Sequence, residues 1–175
     1  MDEIILVDAN DVEVGQGSKM EVHRRGQLHR AFSVFVFDKG GRLLLQQRAA
    51  GKYHSPGLWS NTCCGHPRSG ETTAQSAGRR LREEMGIDCA LTEAFAFTYR
   101  AELDRDLIEH EIDHVFVARF DGSPSPDPSE VGDWKWEQPA AVADDVRRHP
   151  DRYSAWLGQA MEGLEKGGWL ARTTI

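Results

Sequence analysis

The segment from Gly65 to Ile87, GHPRSGETTAQSAGRRLREEMGI, constrains the fold more than any other part of the chain. It predicts a loop followed by one helix whose two ends are both specified. Thr72 and Gln75 have the spacing of a capping box, which satisfies free amides at a helix start. Gly86 suits the left-handed conformation that ends many helices. Apolar residues recur every three to four positions between these ends, so one narrow stripe should be buried: Ala74, Ala77, Leu81 and Met85.

Short apolar runs before this helix predict strands. An Asn-Asp turn separates Ile4–Val7 from Val12–Val14, and Asp-Lys-Gly-Gly separates Ala31–Phe37 from Leu43–Gln47. Turn residues of this kind between two apolar runs favour β-hairpins. The first half of the chain is therefore expected to contain two hairpins.

Strand patterns resume after the helix, over Phe95–Tyr99, Glu111–Phe120 and Trp134–Trp136. Pro139 suits the first turn of a further helix. A last helix is predicted from Ser154 to about Lys166. Strands, one central helix, more strands and terminal helices together predict an α+β fold, with a mixed sheet packed between helices in a single domain.

Charge and hydropathy narrow the possible partners. The 175 residues carry a net charge of −7 and have a mean hydropathy of −0.54. No basic stripe is present, so nucleic acid is not an expected partner. The longest apolar run is far shorter than the roughly 18 residues of a membrane span, and the acidic start MDEIILVDAN lacks the basic region of a signal peptide. A cytoplasmic monomer with no membrane partner is expected.

The cysteines Cys63, Cys64 and Cys89 are odd in number, which argues against a disulfide framework. A bridge between the adjacent pair would be strained, and no second cysteine or histidine pair completes a familiar zinc site. Reduced thiols are therefore expected, and the surrounding residues must decide whether either one reacts.

The segment 65–87 resembles the Nudix box, G-x5-E-x7-R-E-U-x-E-E-x-G-U, in which U is an aliphatic residue. Eight of the nine specified positions match, from Gly65 and Glu71 through Glu83 and Glu84 to Ile87. The exception is Arg80, which stands where the box has a glutamate. The glutamates of Nudix hydrolases hold Mg²⁺ against a diphosphate. A guanidinium in their midst removes one metal ligand and adds a phosphate-binding group.

That substitution, together with Cys64-Gly65-His66 at the start of the box, resembles the type I isopentenyl-diphosphate isomerases over roughly residues 15–160. The resemblance implies a Nudix-like α+β domain over residues 1–175, with a catalytic core over about 27–160 and an N-terminal strand extension over 1–26. It implies that Cys64 and Glu111 transfer protons and that Tyr99 assists beside Glu111. Cys63 is expected to be packing.

The resemblance also implies a metal site built from three histidines and two glutamates: His23, His29, His66, Glu109 and Glu111. The spacing of the glutamates agrees, because residues two apart on a strand point to one face, roughly 7 Å apart. Mixed imidazole and carboxylate ligands suit Mn²⁺, Mg²⁺ or Zn²⁺. The remaining histidines are expected to be structural or solvated: His54, His110, His114 and His149.

A small diphosphate substrate is implied by the same resemblance. Glu84 would hold the Mg²⁺ that enters with the diphosphate, and four basic residues would bind its phosphates: Lys19, Arg48, Lys52 and Arg80. Arg79 is expected to make structural ion pairs instead. Trp156 would stabilise a carbocation-like intermediate with its π face, although its spacing alone also fits a core residue of the last helix.

Two other functions remain open at this point. A Nudix hydrolase of nucleoside or isoprenoid diphosphates would keep the box, but it gives no reason for Arg80 or for Cys64, Tyr99 and Glu111 to occur together. A non-catalytic diphosphate-binding module would tolerate the loss of metal residues, yet all five candidates are present.

Overall fold

The computed structural model describes residues 3–171. The strands and helices follow one another in the order expected of an α+β chain. Their bounds are β1 Glu3–Val7, β2 Glu13–Ser18, α1 Lys19–Arg25, β3 His29–Phe37, β4 Leu43–Arg48, β5 Trp59–Ser60, β6 Cys63–Gly65, α2 Thr73–Met85, β7 Thr92–Glu102, β8 Ile108–Arg119, β9 Val131–Glu137, α3 Pro139–Arg148 and α4 Leu157–Lys166.

Strand β3 lies at the centre of the sheet. It runs parallel to β8, with residues 29–37 opposite 111–119, and antiparallel to β6. Strand β7 extends the sheet as the antiparallel neighbour of β8, and β4 pairs antiparallel with both β5 and β9. The two predicted hairpins, β1–β2 and β3–β4, are present. The sheet is therefore mixed.

Helices cover both faces of this sheet. Alternate residues of β3 point to opposite faces, so the strand contributes to the core on each side. Phe32 and Val34 lie in one buried cluster with Leu81 of α2. Phe35 lies in a second cluster, on the other face, with Leu157 of α4. The predicted fold, a mixed sheet between helices in one α+β domain, is confirmed.

Helix α2 begins and ends as the sequence indicates. The Thr72 hydroxyl accepts a hydrogen bond from the Gln75 amide, and the Gln75 side chain accepts one from the Thr72 amide. Gly86 ends the helix at φ 65°, and a β-carbon there would lie 2.7 Å from the Ser125 carbonyl oxygen. These two ends fix the bounds of α2, and its buried residues Ala77, Leu81 and Met85 pack into the core below it.

Two helices differ from expectation. Helix α1 is not predicted, because it has only seven residues and buries only Val22 and His23, too few for a periodic pattern. Helix α4 begins at Leu157 rather than Ser154. The Ser154 amide donates to the Trp59 carbonyl at 2.9 Å, so this residue still pairs with the edge of the sheet. Within residues 3–171 no helix is long and apolar enough to cross a membrane.

Candidate active site

A cavity of about 640 Å³ opens between α2, the β3–β8 pair and the start of α4. Most of the predicted site residues line it, although they come from distant parts of the chain. His23 and His29 are the exceptions, since both are fully buried behind its wall. The predicted residues that line the cavity are Lys19, Arg48, Lys52, Cys64, His66, Arg80, Glu84, Tyr99, Glu109, Glu111 and Trp156.

The five predicted metal ligands meet at one end of this cavity. One ligand atom from each lies within 4.8 Å of all the others. The register of the sheet explains part of this arrangement, because Glu111 on β8 lies directly between His29 on β3 and Tyr99 on β7. Helix α1 adds His23, and the segment after β6 adds His66.

The hydrogen bonds of the histidines orient their free nitrogens toward this cluster. Nδ1 of His23 lies 2.6 Å from the Lys19 carbonyl oxygen, and Nδ1 of His29 lies 2.8 Å from that of Gln27. A carbonyl oxygen only accepts, so each Nδ1 carries a proton, and a neutral ring then presents the lone pair of Nε2 to the cluster. A backbone carbonyl oxygen that accepts from the other ring nitrogen in this way is typical of metal-bound histidines.

The carboxylates supply a second indication of a cation. Glu109 Oε2 lies 3.2 Å from His23 Nε2, yet it is buried and has no hydrogen-bond donor within the described part of the chain. Two lone pairs therefore face each other across this gap. Burial raises the pKa of Glu109, and the neighbouring Glu111 raises it further. A divalent cation between the two glutamates would offset both the burial of their charges and the repulsion between them. These residues therefore fit a metal ion.

His23 and His66 of the cluster are neutral at pH 7. Burial lowers the pKa of His23 to about 4 and that of His66 to about 3. His66 Nε2 lies 2.9 Å from Glu111 Oε1. Neutral imidazole is the form that binds metals, so the electrostatic state of these rings agrees with the role expected for them.

Cys64 and Tyr99 lie beside the cluster. The Tyr99 hydroxyl donates to Glu111 Oε2 at 2.6 Å. Burial raises the pKa of the Cys64 thiol to about 12, although Arg48 opposes this shift, so Cys64 is protonated at neutral pH. Cys63 is fully buried in the core cluster under α2, as its expected packing role requires. The adjacent cysteines therefore face different surroundings, and Cys64 alone lines the cavity.

At the other end of the cavity, two basic side chains form ion pairs with two carboxylates. Arg80 donates to both Glu84 and Glu130, the latter at 3.1 Å, and Lys52 contacts the same two carboxylates. Glu84 is buried and also accepts from Gln46 Nε2 at 2.9 Å. Arg79 also lines the cavity, and it pairs with Glu71 and Glu83, as expected. Lys52 and Arg80 are thus held by carboxylates beside the cavity.

Arg48, Lys19 and Trp156 complete the lining. The Arg48 guanidinium lies 3.9 Å from the Cys64 sulfur and 5.7 Å from the centroid of the Trp156 ring. Lys19 Nζ lies 4.6 Å from the centroid of the Tyr53 ring. Trp156 is buried, and its indole donates to Asn61 Oδ1 at 2.9 Å. Trp156 is therefore a core residue at the start of α4 that also lines the cavity, and its role toward a carbocation stays a prediction.

Three residues of the site are not predicted from the sequence. His54, expected to be structural or solvated, is buried in the cavity wall with Nε2 3.1 Å from Glu109 Oε1, so it is not solvated. The Tyr53 hydroxyl lies 3.2 Å from His23 Nε2. Glu130 comes from the end of the proline-rich loop GSPSPDPSE. All three lie on irregular segments, where no periodicity marks the inward-facing side chains.

Comparisons with known proteins show the family of the chain. The profile of the NUDIX domain matches residues 27–157. Isopentenyl-diphosphate Delta-isomerase 2 of Aromatoleum aromaticum is 56% identical over 161 residues, covering 92% of this chain and 85% of the relative. The isopentenyl-diphosphate Delta-isomerase of Serratia proteamaculans is 52% identical over 165 residues, covering 94% of this chain and 92% of the relative.

Solved structures show the same fold at low sequence identity. DR0079 from Deinococcus radiodurans superposes with a TM-score of 0.78 at 19% identity, covering 92% of this chain and 98% of its own. A MutT protein from Methanosarcina mazei Go1 gives a TM-score of 0.67 at 15% identity, covering 79% and 94%. The domain match and the identities to the curated relatives lead to one conclusion: the chain belongs to the isopentenyl-diphosphate Delta-isomerase family of NUDIX-domain proteins.

Proposed function

We propose that the protein interconverts isopentenyl diphosphate and dimethylallyl diphosphate, the reaction for which its relatives are named. The observation that carries the proposal is the composition of the cavity. One end holds a thiol, a carboxylate and a phenol beside a cluster that fits a metal ion, and the other end holds basic residues. A substrate with a small hydrocarbon part and a diphosphate matches both ends.

The basic end would bind the diphosphate. Lys52 and Arg80 are neutralised by Glu84 and Glu130 in this structure, so an entering diphosphate with its Mg²⁺ would replace these internal partners. Glu84 would hold the Mg²⁺, because a hard cation prefers carboxylate oxygens. Lys19 and Arg48, which also line the cavity, would contribute further contacts to the phosphates.

The five-residue cluster would hold Mn²⁺, Mg²⁺ or Zn²⁺ through His23, His29, His66, Glu109 and Glu111. When bound, the ion would supply a fixed positive charge that keeps Glu109 and Glu111 ionised together. Glu111 would then offer a basic oxygen at a defined position, with the Tyr99 hydroxyl bonded to its other oxygen.

The reaction would move a double bond by one proton gain and one proton loss on different carbons. Cys64 and Glu111 would exchange these protons with the substrate, one donating and the other accepting, and Tyr99 would relay or stabilise charge at Glu111. The positive charge that develops on the tertiary carbon would lie near the face of Trp156, because a ring quadrupole attracts cations. The buried residues around the cavity would exclude water, which would otherwise capture this intermediate.

Proton NMR of isopentenyl diphosphate incubated with the protein and Mg²⁺ in D₂O tests the proposal. Conversion to dimethylallyl diphosphate with incorporated deuterium is the expected result. Release of phosphate would instead indicate a hydrolase, and tight binding without turnover would indicate a binding module. Cys64→Ala and Cys63→Ala form a matched pair, since both remove one thiol from adjacent residues and only Cys64 lines the cavity.

The organisation of the chain follows from the same proposal. Residues 27–160 would form the catalytic core, and the extension over 1–26 would complete the site, since it contributes Lys19 to the cavity and His23 to the cluster. The substrate is small and the cavity is built from one chain, so a monomer would suffice for activity. Sedimentation of the active protein tests this expectation.

A further inference from the structure

His54 lies against the metal cluster without belonging to it. Its side chain is only 5% exposed, although it comes from the irregular segment between β4 and β5. Its Nε2 lies 3.1 Å from Glu109 Oε1. The other oxygen of Glu109 faces the cluster, 3.2 Å from His23 Nε2 and 3.7 Å from His29 Nε2. Glu109 therefore has one oxygen toward His54 and one toward the cluster.

The proton on His54 can be assigned from its neighbours. An ionised carboxylate only accepts hydrogen bonds, so Nε2 must carry the proton that reaches Glu109 Oε1. The Ser55 hydroxyl lies 3.2 Å from Nδ1 and can donate to it. This tautomer satisfies both ring nitrogens.

Two hydrogen bonds hold the backbone at His54 and Ser55, and ring contacts hold the His54 side chain. Arg48 Nη2 donates to the His54 carbonyl oxygen at 3.1 Å. The Ser55 amide donates to Asp104 Oδ1 at 3.1 Å, and Ser55 adopts φ 49°, a conformation that serine rarely takes. The His54 ring itself packs between Tyr53 and Trp156, with centroids 4.3 Å and 6.2 Å away. The donor is therefore preorganised.

We infer that His54 is a positioning residue for the metal ligand Glu109. Its Nε2–H holds Oε1 and leaves Oε2 directed at the cluster. Without this bond the Glu109 carboxylate could rotate about its terminal torsion, which has a broad, roughly two-fold profile. Outer partners of this kind change metal affinity by about 10- to 100-fold. The inference rests on the proposed metal site and adds a residue that contacts the ligand rather than the ion.

The geometry argues against a sixth ligand. The ligand atoms that lie within 4.8 Å of one another come from His23, His29, His66, Glu109 and Glu111, and His54 is not in that group. Its Nε2 is also already used in the bond to Glu109. Simple packing would not require the ring nitrogen to meet a buried carboxylate oxygen.

Titration of the purified protein with Mn²⁺ in competition with a chelating dye tests the inference. We expect His54→Ala to weaken Mn²⁺ binding by about 10- to 100-fold. His54→Gln keeps an N–H near the position of Nε2 and should restore affinity to within about threefold of the parent protein. His149→Ala removes a histidine with a half-exposed side chain outside the cavity and should leave affinity unchanged. Thermal unfolding of the metal-free variants checks that each one folds.

Electron paramagnetic resonance of bound Mn²⁺ provides the second readout. The couplings to ligand nitrogens should be the same in the parent protein and in His54→Ala, since the ligands are unchanged. Loss of one nitrogen coupling would make His54 a ligand and overturn the positioning role. Equal Mn²⁺ affinity in all variants would also overturn it while leaving the metal site intact. If the parent protein binds no Mn²⁺ at the cluster, the site and the inference both fail.

Discussion

Removing the hydrogen bond from the Tyr99 hydroxyl to Glu111 Oε2 directly tests how the cavity performs proton transfer. The bond is 2.6 Å long and both side chains are buried. Tyr99→Phe removes the hydroxyl and keeps the ring. The ring contacts of Tyr99, to Phe97 at 5.6 Å and Trp156 at 6.5 Å between centroids, can therefore persist.

The expected magnitude follows from the charge on the acceptor. A hydrogen bond to a charged group contributes about 1.5–3 kcal/mol. Each decade of rate corresponds to about 1.4 kcal/mol of activation free energy. If the whole free energy of this hydrogen bond stabilises the transition state, its loss should lower kcat by roughly 10- to 150-fold. KM should change little, because Tyr99 contacts none of the basic residues proposed for the diphosphate.

The assay is the steady-state conversion of isopentenyl diphosphate at saturating metal, with the metal content of each variant measured. Tyr153→Phe is a matched control. Tyr153 is also buried, and its hydroxyl donates to Asp145 Oδ2 at 2.5 Å, but Tyr153 does not line the cavity. This variant should lose some thermal stability and keep its kcat. If Tyr99→Phe retains kcat within about threefold of the parent protein, the transition-state role of the bond is refuted.

Four further outcomes are expected. Cys64→Ala should abolish turnover with the fold intact, whereas Cys63→Ala should lower the unfolding temperature and retain turnover; activity in the first variant would contradict the role of the thiol. Glu84→Gln should raise KM for the diphosphate by roughly tenfold or more at fixed Mg²⁺, and an unchanged KM would count against Mg²⁺ at that residue. Removal of metal with a chelator should abolish turnover. Added Mn²⁺ should restore turnover in the parent protein but not in His29→Ala, and recovery in both proteins would show that activity does not depend on the cluster. The hydrogen bond from Arg79 lowers the pKa of Glu71 to about 2, so its stabilisation is complete above pH 4.5 and is lost as the pH falls toward 2. The difference in urea midpoint between the parent protein and Glu71→Gln should therefore shrink from pH 6 to pH 2, and a constant difference would refute this linkage.

The charge pattern of the cavity is consistent with an anionic substrate in an acidic protein. The chain has a net charge of −7, so the overall field does not attract a diphosphate. Local cations would have to bind the diphosphate instead, and the ion pairs with Glu84 and Glu130 hold Lys52 and Arg80 at the cavity.

Much of the fold was predictable from local patterns in the sequence. The hairpins followed from turn residues between apolar runs, and both ends of α2 followed from Thr72, Gln75 and Gly86. Those signals are short-range, so a few neighbouring residues are enough to produce them. Helix α1 escaped prediction because its few buried residues cannot form a pattern.

The identity of the candidate site residues depended on motif resemblance rather than on local physics. Cys64, His66 and Glu84 occur in one motif, and Glu109 and Glu111 share a strand face by simple alternation. Nothing local distinguishes His23 or Trp156 from ordinary core residues. The resemblance alone selected them, and the structure places His23 in the buried five-residue cluster and Trp156 in the lining of the cavity.

Local sequence patterns predict the strands, the capped helix α2 and the types of residue available for chemistry. Which of these residues meet depends on the folded arrangement of the elements. The parallel register of β3 and β8 sets His29 beside Glu111, and the loop after β4 carries His54 to Glu109. Such contacts join residues far apart in the chain, and their energy depends on packing and desolvation that no local pattern encodes.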